Sequence, residues 1–254
     1  MVNSVSVIMA VYNGQRFLRE QLQSVLDQLL PGDELWVIDD ASTDGSHALL
    51  ERVDSPALRV HRSPSNRGVI ASFECGLRLA THEIVFLCDQ DDIWLPGKRA
   101  AFVQAFEQDT AVLAVISDAQ VIDAKGSMVA PSFMATRGGF RGSVAATIWR
   151  NRYLGCAMAL RRSLLAAALP IPRRAPMHDM WLGAMARIFG RVVYLPMPYL
   201  QYRRHGGNVS PSSRQSVSKM LRWRIALIHA LLARTLKFKL GLHAHHAANG
   251  TGPT

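Results

Sequence analysis

The chain has 254 residues, 49% of them apolar, enough to bury a core as one large domain or one domain with an appendage, which excludes a disordered protein. No run of about eighteen uncharged apolar residues occurs, which excludes an ordinary membrane-spanning helix, and three widely spaced cysteines, Cys75, Cys88 and Cys156, make neither a disulfide framework nor paired metal ligands. The net charge of +10 is uneven: residues 1–179 carry 18 Lys+Arg against all 19 Asp+Glu, whereas residues 180–254 carry 11 Lys+Arg and no acid. The C-terminal third is therefore cationic, toward a polyanion, an anionic lipid headgroup or a substrate phosphate.

The first residues, "MVNSVSVIMAVYNG", lack a basic leader and enter a strand pattern directly, so a cytoplasmic protein is expected. Strands are predicted at Val5–Val11, Leu35–Ile38, Leu58–His61, Ile84–Cys88 and Val112–Ser117. Helical stripes alternate with them, one through Phe17, Leu18, Leu22, Val25, Leu26 and Leu29, another through Val69, Ile70, Phe73, Leu77 and Ala80. Pro96 suits the first turn of a helix reaching about Gln108. This β-α-β-α order predicts an α/β fold, a mostly parallel sheet with helices on both faces. After Asp118 come a hairpin turn at "DAKG", a loop at "RGGFRG", a strand at "LGCAMAL" and a helix at "HDMWLGAMARIFG" ending at Gly190.

Parallel sheets bind ligands beyond the C-terminal ends of their strands, and two acidic clusters sit at such ends. "WVIDDASTDGS" puts Asp39 and Asp40 after the second strand, and "FLCDQDDIW" puts Asp89, Asp91 and Asp92 after the fourth. Carboxylates this close repel unless a cation or strong donors neutralise them. Mn²⁺ or Mg²⁺ shared with the phosphates of a nucleotide is the economical solution, and Asp40 can also accept the N3–H of uracil or thymine. Each cluster has a plainer reading, a capped turn at "DDASTDG" and an exposed acidic turn at "DQDD". The turn "VYNGQRF" is not the glycine-rich turn of a dinucleotide-binding dehydrogenase, nor the basic phosphate loop of a nucleotidyltransferase. A nucleic-acid-binding module would explain the cationic end but not the strand-end carboxylates, so no nucleic-acid partner is expected.

The ordered segments "VSVIMAVYNG", "IDDASTDGS", "NRGVIASFECGL", "FLCDQDDIWLPGK", "YLGCAMALRRSLL", "MHDMWL" and "YRRHGGNVS" resemble family 2 glycosyltransferases of GT-A fold, with bacterial rhamnosyltransferase-like members the most similar in pattern. The resemblance implies an inverting, metal-dependent transfer of a sugar from a TDP- or UDP-linked donor to a saccharide or lipid-linked acceptor. It places Ala10, Tyr12, Asp40, Arg67 and Asp89 about the nucleotide, makes Asp89 and Asp91 a D-x-D pair with Asp91 on the metal, and makes His205 a metal or phosphate ligand. Asp179 stands where the family keeps its general base, with His178, Trp181 and Cys156 on the acceptor side. His178 departs from the family's commonest acidic pair, which leaves its role open.

Composition adds support for the base, because Asp179 is the only Asp or Glu from Ala124 to Thr254. Its plainer reading is a helix N-cap. Arg67 suits a phosphate contact or a solvated helix start, and Tyr12 a base contact or the core. Past Ser216 a helix is expected, with Val217, Leu221, Ile225, Ile228, Leu232 and Leu236 on one stripe. Packing on the catalytic domain and attachment to an anionic membrane surface, as a peripheral protein of its inner face, both fit. The organisation expected is a catalytic domain over 1–215, a basic amphipathic helix over 216–242 and a disordered tail over 243–254.

Overall fold

A computed structural model describes residues 3–206 and 217–249, with only the backbone at 217–219 and 242–249. The "GNVS" end of the last motif, the boundary at Ser216 and residues 250–254 of the expected tail lie outside the described residues. Three β-strands with two intervening helices come first: β1 (Val5–Val11), α1 (Gln15–Leu26), β2 (Glu34–Asp39), α2 (Ser46–Leu50) and β3 (Leu58–Arg62). Then follow α3 (Val69–Leu79), β4 (Ile84–Asp89), β5 (Ile93–Trp94), α4 (Lys98–Glu107), β6 (Val112–Ile122) and β7 (Met128–Ala130). The C-terminal half adds α5 (Phe133–Thr136), α6 (Val144–Trp149), β8 (Met158–Arg161), α7 (Leu165–Ala168), α8 (His178–Phe189), β9 (Arg191–Arg203) and α9 (Val217–Asn249).

The sheet runs β3-β2-β1-β4-β8-β6-β9-β5, with β7 on the edge of β6. β3, β2, β1 and β4 are parallel, β8 is antiparallel to both its neighbours, and β9 is parallel to β6. Apart from Ala10 and Asp89, which border a cavity, the near-continuous apolar runs of β1 and β4 are buried, as a strand covered on both faces requires. α1 and α3 turn Leu18, Leu22 and Val25, and Phe73 and Leu77, onto that sheet.

Several boundaries differ from the sequence reading. Leu95 N donates to Tyr199 O at 3.0 Å, which ties residues 93–95 to β9 and delays α4 to Lys98, after Gly97 at φ +83°. Pro96 thus precedes the helix and is not in its first turn. "LGCAMAL" begins with a 3-10 turn at Gly155–Ala157 and is a strand only from Met158. β6 continues past Ser117 because β9 pairs with it as far as Ile122↔Arg203, through register shifts at Asp118. β9 itself carries Pro196 and Pro198, which argue against a strand when read alone.

α9 packs through a different face from the stripe expected. Leu227 and Leu231 are buried, Phe238 meets Phe189 edge-on at 5.1 Å, and Arg234 donates to Ala167 O, Leu169 O and Pro170 O at 2.8–3.0 Å. Leu221, Ile225, Ile228, Leu232 and Leu236 face outward, 40–66% exposed. Apolar residues occupy both sides of this helix, so periodicity could not choose the packed one. Its backbone continues through residues 243–249, in the segment expected as tail.

Candidate active site

The register brings both acidic clusters to one edge of the sheet, because Val11 of β1 pairs with Asp39 of β2 and Ala10 with Asp89 of β4. Beyond that edge lies a cavity of about 470 Å³ lined by residues that include Ala10, Tyr12, Asp40, Asp89, Asp91 and His178. The loops above β1 and β2 are bonded to one another: Asn13 N donates to Ser42 Oγ at 3.0 Å and Thr43 N to Asn13 Oδ1 at 2.8 Å. Asn13 and Ala41 both hold positive φ, +50° and +61°, the kind of local backbone strain that collects at functional sites.

The two aspartates after β2 divide their work. Asp39 is fully buried, accepts Ser42 N at 2.9 Å and lies 3.2 Å from His47 Nδ1, so it builds the turn. Asp40 lines the cavity and accepts Arg67 N at 3.0 Å and Gly68 N at 2.7 Å, the backbone leading into α3. Asp44 accepts Ser46 N at 2.9 Å, so the capped turn and the pocket carboxylate coexist in "DDASTDG".

The cluster after β4 is under greater strain. Burial, then the charges of Asp92, Asp91 and Asp179, hold the Asp89 carboxyl well above the usual range. Asp92 is fully buried, its pKa pushed up to about 7 by burial and by Asp91, and Oδ1 accepts Arg203 N at 2.9 Å. Beneath lies Lys98, also fully buried, donating from Nζ to Cys156 O at 2.6 Å, 4.4 Å from the Trp94 ring centroid. Burial lowers its pKa to about 8. Asp91 meets His205, Nε2 to Oδ2 at 2.7 Å, across more than a hundred residues of sequence. Gln90 points the other way: its Oε1 accepts Tyr12 N at 2.8 Å and its Nε2 donates to Tyr12 O at 3.1 Å.

The Asp91 and His205 pair fits a divalent cation. Neighbouring ligands on an octahedral ion with bonds near 2.1 Å stand about 3.0 Å apart, so an ion would replace the shared proton with little movement. Asp89, Asp92 and Cys156 also converge, with ligand atoms within 4.8 Å, but Asp92 and Cys156 are fully buried and Lys98 supplies charge from below. The Asp91 and His205 pair, at the cavity, is the better candidate.

α8 opens on the same cavity. His178 is buried with neither ring nitrogen hydrogen-bonded, stacked on Phe73 at 4.0 Å, and burial lowers its pKa to about 3, which keeps it neutral. Met177, not Asp179, occupies the N-cap position. Asp179 Oδ1 accepts Met180 N at 2.6 Å and Asn151 Nδ2 at 3.0 Å, while burial raises its pKa to about 6.

Residues 6–168 match the model of glycosyl transferase family 2, more than half of the chain. The chain belongs to that family. An uncharacterized glycosyltransferase of Nostoc sp. is 27% identical over 225 residues, 85% of this chain and 69% of its own length. An Escherichia coli UDP-Glc:alpha-D-GlcNAc-diphosphoundecaprenol beta-1,3-glucosyltransferase is 26% identical over 105 residues, 41% of this chain and 42% of that protein. The structure of S. aureus TarS 1-349 in complex with UDP-GlcNAc superposes with a TM-score of 0.70 at 20% identity, over 89% of this chain and 66% of that one. This family 2 chain thus spans between 42% and 69% of these three proteins. The likeness to TarS establishes the fold, a GT-A arrangement.

Most residues that the sequence assigns to the nucleotide and the metal meet at one cavity in this family 2 chain. Arg67 touches it only through its backbone N on Asp40; its side chain is exposed. Tyr12 is 45% exposed at the rim, not core. Two expected acceptor contacts are interior residues: Trp181 is fully buried and donates from Nε1 to Ala168 O at 2.8 Å, and Cys156 is fully buried beside Asp89 and Asp92. Neither side chain offers surface to an acceptor, since both fill the space under α8 and the acid cluster. Sequence reasoning missed Gln90, Lys98 and Asn151. For Lys98 the signal was available, a lysine in the first turn of an apolar helix close after three acids.

Proposed function

We propose that this chain is an inverting, metal-dependent glycosyltransferase that moves a sugar from a UDP- or TDP-linked donor to a saccharide or lipid-linked acceptor in bacterial cell-surface polysaccharide assembly. The observation that carries this reading is the convergence of Asp40, Asp89, Asp91 and His178 on one cavity, with His205 against Asp91. Asp40 already accepts two backbone N–H groups, and a carboxylate has lone pairs left for the N3–H of a pyrimidine. Asp89, beside the nucleotide, orients the ribose or sugar hydroxyls. Asp91 and His205 would hold Mn²⁺ or Mg²⁺, which when bound neutralises charge on the leaving diphosphate. Neutral His178 borders the cavity with both ring nitrogens shielded, so it shapes the wall, stacked on Phe73, rather than bonding the sugar. Asp179, ionised above a pH of about 6, takes the acceptor's hydroxyl proton as the acceptor attacks from the face opposite the diphosphate. Rhamnose is the preferred sugar on the motif resemblance.

The placement proposed is peripheral, on the inner face of the cell membrane. The Escherichia coli relative acts by its name on a diphosphoundecaprenol lipid, and no helix among the described residues is long and apolar enough to cross a membrane. A thermal-shift screen of UDP- and TDP-sugars with Mn²⁺, Mg²⁺ or chelator tests the transferase reading. A metal-dependent upward shift is expected with one donor, and Asp91→Asn should lose it while its ligand-free Tm is unchanged. Full transfer by Asp91→Asn in chelator would overturn the metal assignment.

A further inference from the structure

Along α9, Leu221, Ile225, Ile228, Leu232, Leu236 and Leu240 are each 40–66% exposed. At helical spacing they fall in one stripe about 120° wide, beside the face that buries Leu227 and Leu231. Singly exposed apolar side chains are ordinary, whereas a continuous stripe marks an interaction surface.

Next to the stripe lies a cavity of about 990 Å³ between α9 and residues 172–174, larger than the one at the strand ends and remote from it in composition. Arg173, Arg174 and Arg222 line it together with Ile225, which therefore belongs to both groove and stripe. These three arginines form no ion pair among the described residues, and the sequence holds no acid after Asp179. Trp149, 74% exposed, lies under Arg224, whose guanidinium is 4.6 Å from its ring centroid. An apolar stripe, a basic rim and an exposed tryptophan are the composition of a helix lying in a membrane interface.

We propose that this face lies on a bilayer containing anionic lipid, with a phosphate-bearing headgroup seated among Arg173, Arg174 and Arg222 and the α9 stripe in the headgroup and upper acyl region. The inference rests on the peripheral placement proposed above and gives it a surface. A free anion would satisfy the arginines, but only a lipid surface also covers the stripe that shares Ile225 with them. The segment carrying Arg173 and Arg174 runs through residues 175–177 into α8, which begins at His178.

Flotation of the 254-residue chain with phosphatidylcholine vesicles, with and without phosphatidylglycerol, tests the proposal. Two variants are compared with the parent: Ile228→Glu with Leu232→Glu, and Arg173→Gln with Arg174→Gln and Arg222→Gln. All five side chains are exposed, so Tm and the nucleotide-induced shift should be unchanged in both. The parent should bind the phosphatidylglycerol vesicles and release with salt, and each variant should bind at least about tenfold more weakly. Equal binding by parent and variants would overturn the proposal. So would self-association of the parent, lost in the Glu variant, without vesicle binding, or stabilisation of the parent by inorganic phosphate alone without vesicle binding. Vesicle binding by a chain that shows no nucleotide shift would uphold the membrane face and remove the transferase reading.

Discussion

β2 and β4 flank β1, and both end in carboxylates at the same edge of the sheet, yet the two ends are completed differently. After β2 the protein supplies the partners itself. Asp39 has a backbone donor with His47 and Arg62 nearby, and Asp40 has the N–H groups that open α3. After β4 the neighbours are mostly other acids, Asp89, Asp91, Asp92 and, across the cleft, Asp179, and burial raises Asp89, Asp92 and Asp179. Each end keeps one buried carboxylate oxygen without a hydrogen bond, Asp39 Oδ2 and Asp92 Oδ2, but after β2 donors outnumber acids. After β4 the acids crowd one another, and a cation is the proposed way to relieve them.

The largest effect should separate Asp179 from the rest. Asp179→Asn keeps shape and hydrogen bonding but loses the basic oxygen, so transfer should fall roughly 10²–10⁴-fold while metal-dependent nucleotide binding persists. Near-normal transfer by this variant would remove Asp179 as the base. In the parent, the transfer rate should drop as pH falls through about 6, where Asp179 takes up its proton; a flat profile from pH 5 to 8 would argue against it.

A smaller effect concerns stability in chelator. Asp92 has a folded pKa of about 7 against 3.8 for the unfolded group, so its contribution is fully present below pH 4 and is lost as pH rises through 7. The ligand-free Tm should therefore fall between pH 5 and pH 8, by at least about 4 °C. Asp92→Asn should flatten that fall, and an unchanged slope would break the contrast between the strand ends. The smallest effect belongs to β2. Asp40→Asn exchanges a charged acceptor for a neutral one at Gly68 N, a loss of about 1 kcal/mol in denaturant unfolding. If the loss exceeded that of a buried core truncation, about 2–5 kcal/mol, Asp40 would be a structural residue first.

Much of this was legible in the sequence because its signals are local. The β-branched runs and 3.6-residue stripes of residues 5–89 mark β1 to β4 and the helices α1 and α3, though not the short α2, and strand ends locate the acids without any tertiary knowledge. What was not legible depends on partners distant in the chain. β9 hides behind Pro196 and Pro198, and only its pairing with β6 and β5 reveals it. Trp181 and Cys156 stand in motifs that border the site, but motif membership does not say which way a side chain points. α9 offers two apolar faces, and only contacts with α6, α7 and α8 select one.

Gln90, the residue between Asp89 and Asp91, has a consequence beyond spacing. Backbone pairing of β1 with β4 ends at Ala10↔Asp89, and the Gln90 amide, giving one hydrogen bond to Tyr12 and taking another, adds a further rung to that ladder made of side chain. A backbone rung can open only by unzipping the strands, whereas this one opens by rotation of a side chain, for about 1–3 kcal/mol across two hydrogen bonds. Tyr12 and Gln90, both in the cavity lining, are therefore joined by side-chain hydrogen bonds where the backbone ladder has already ended.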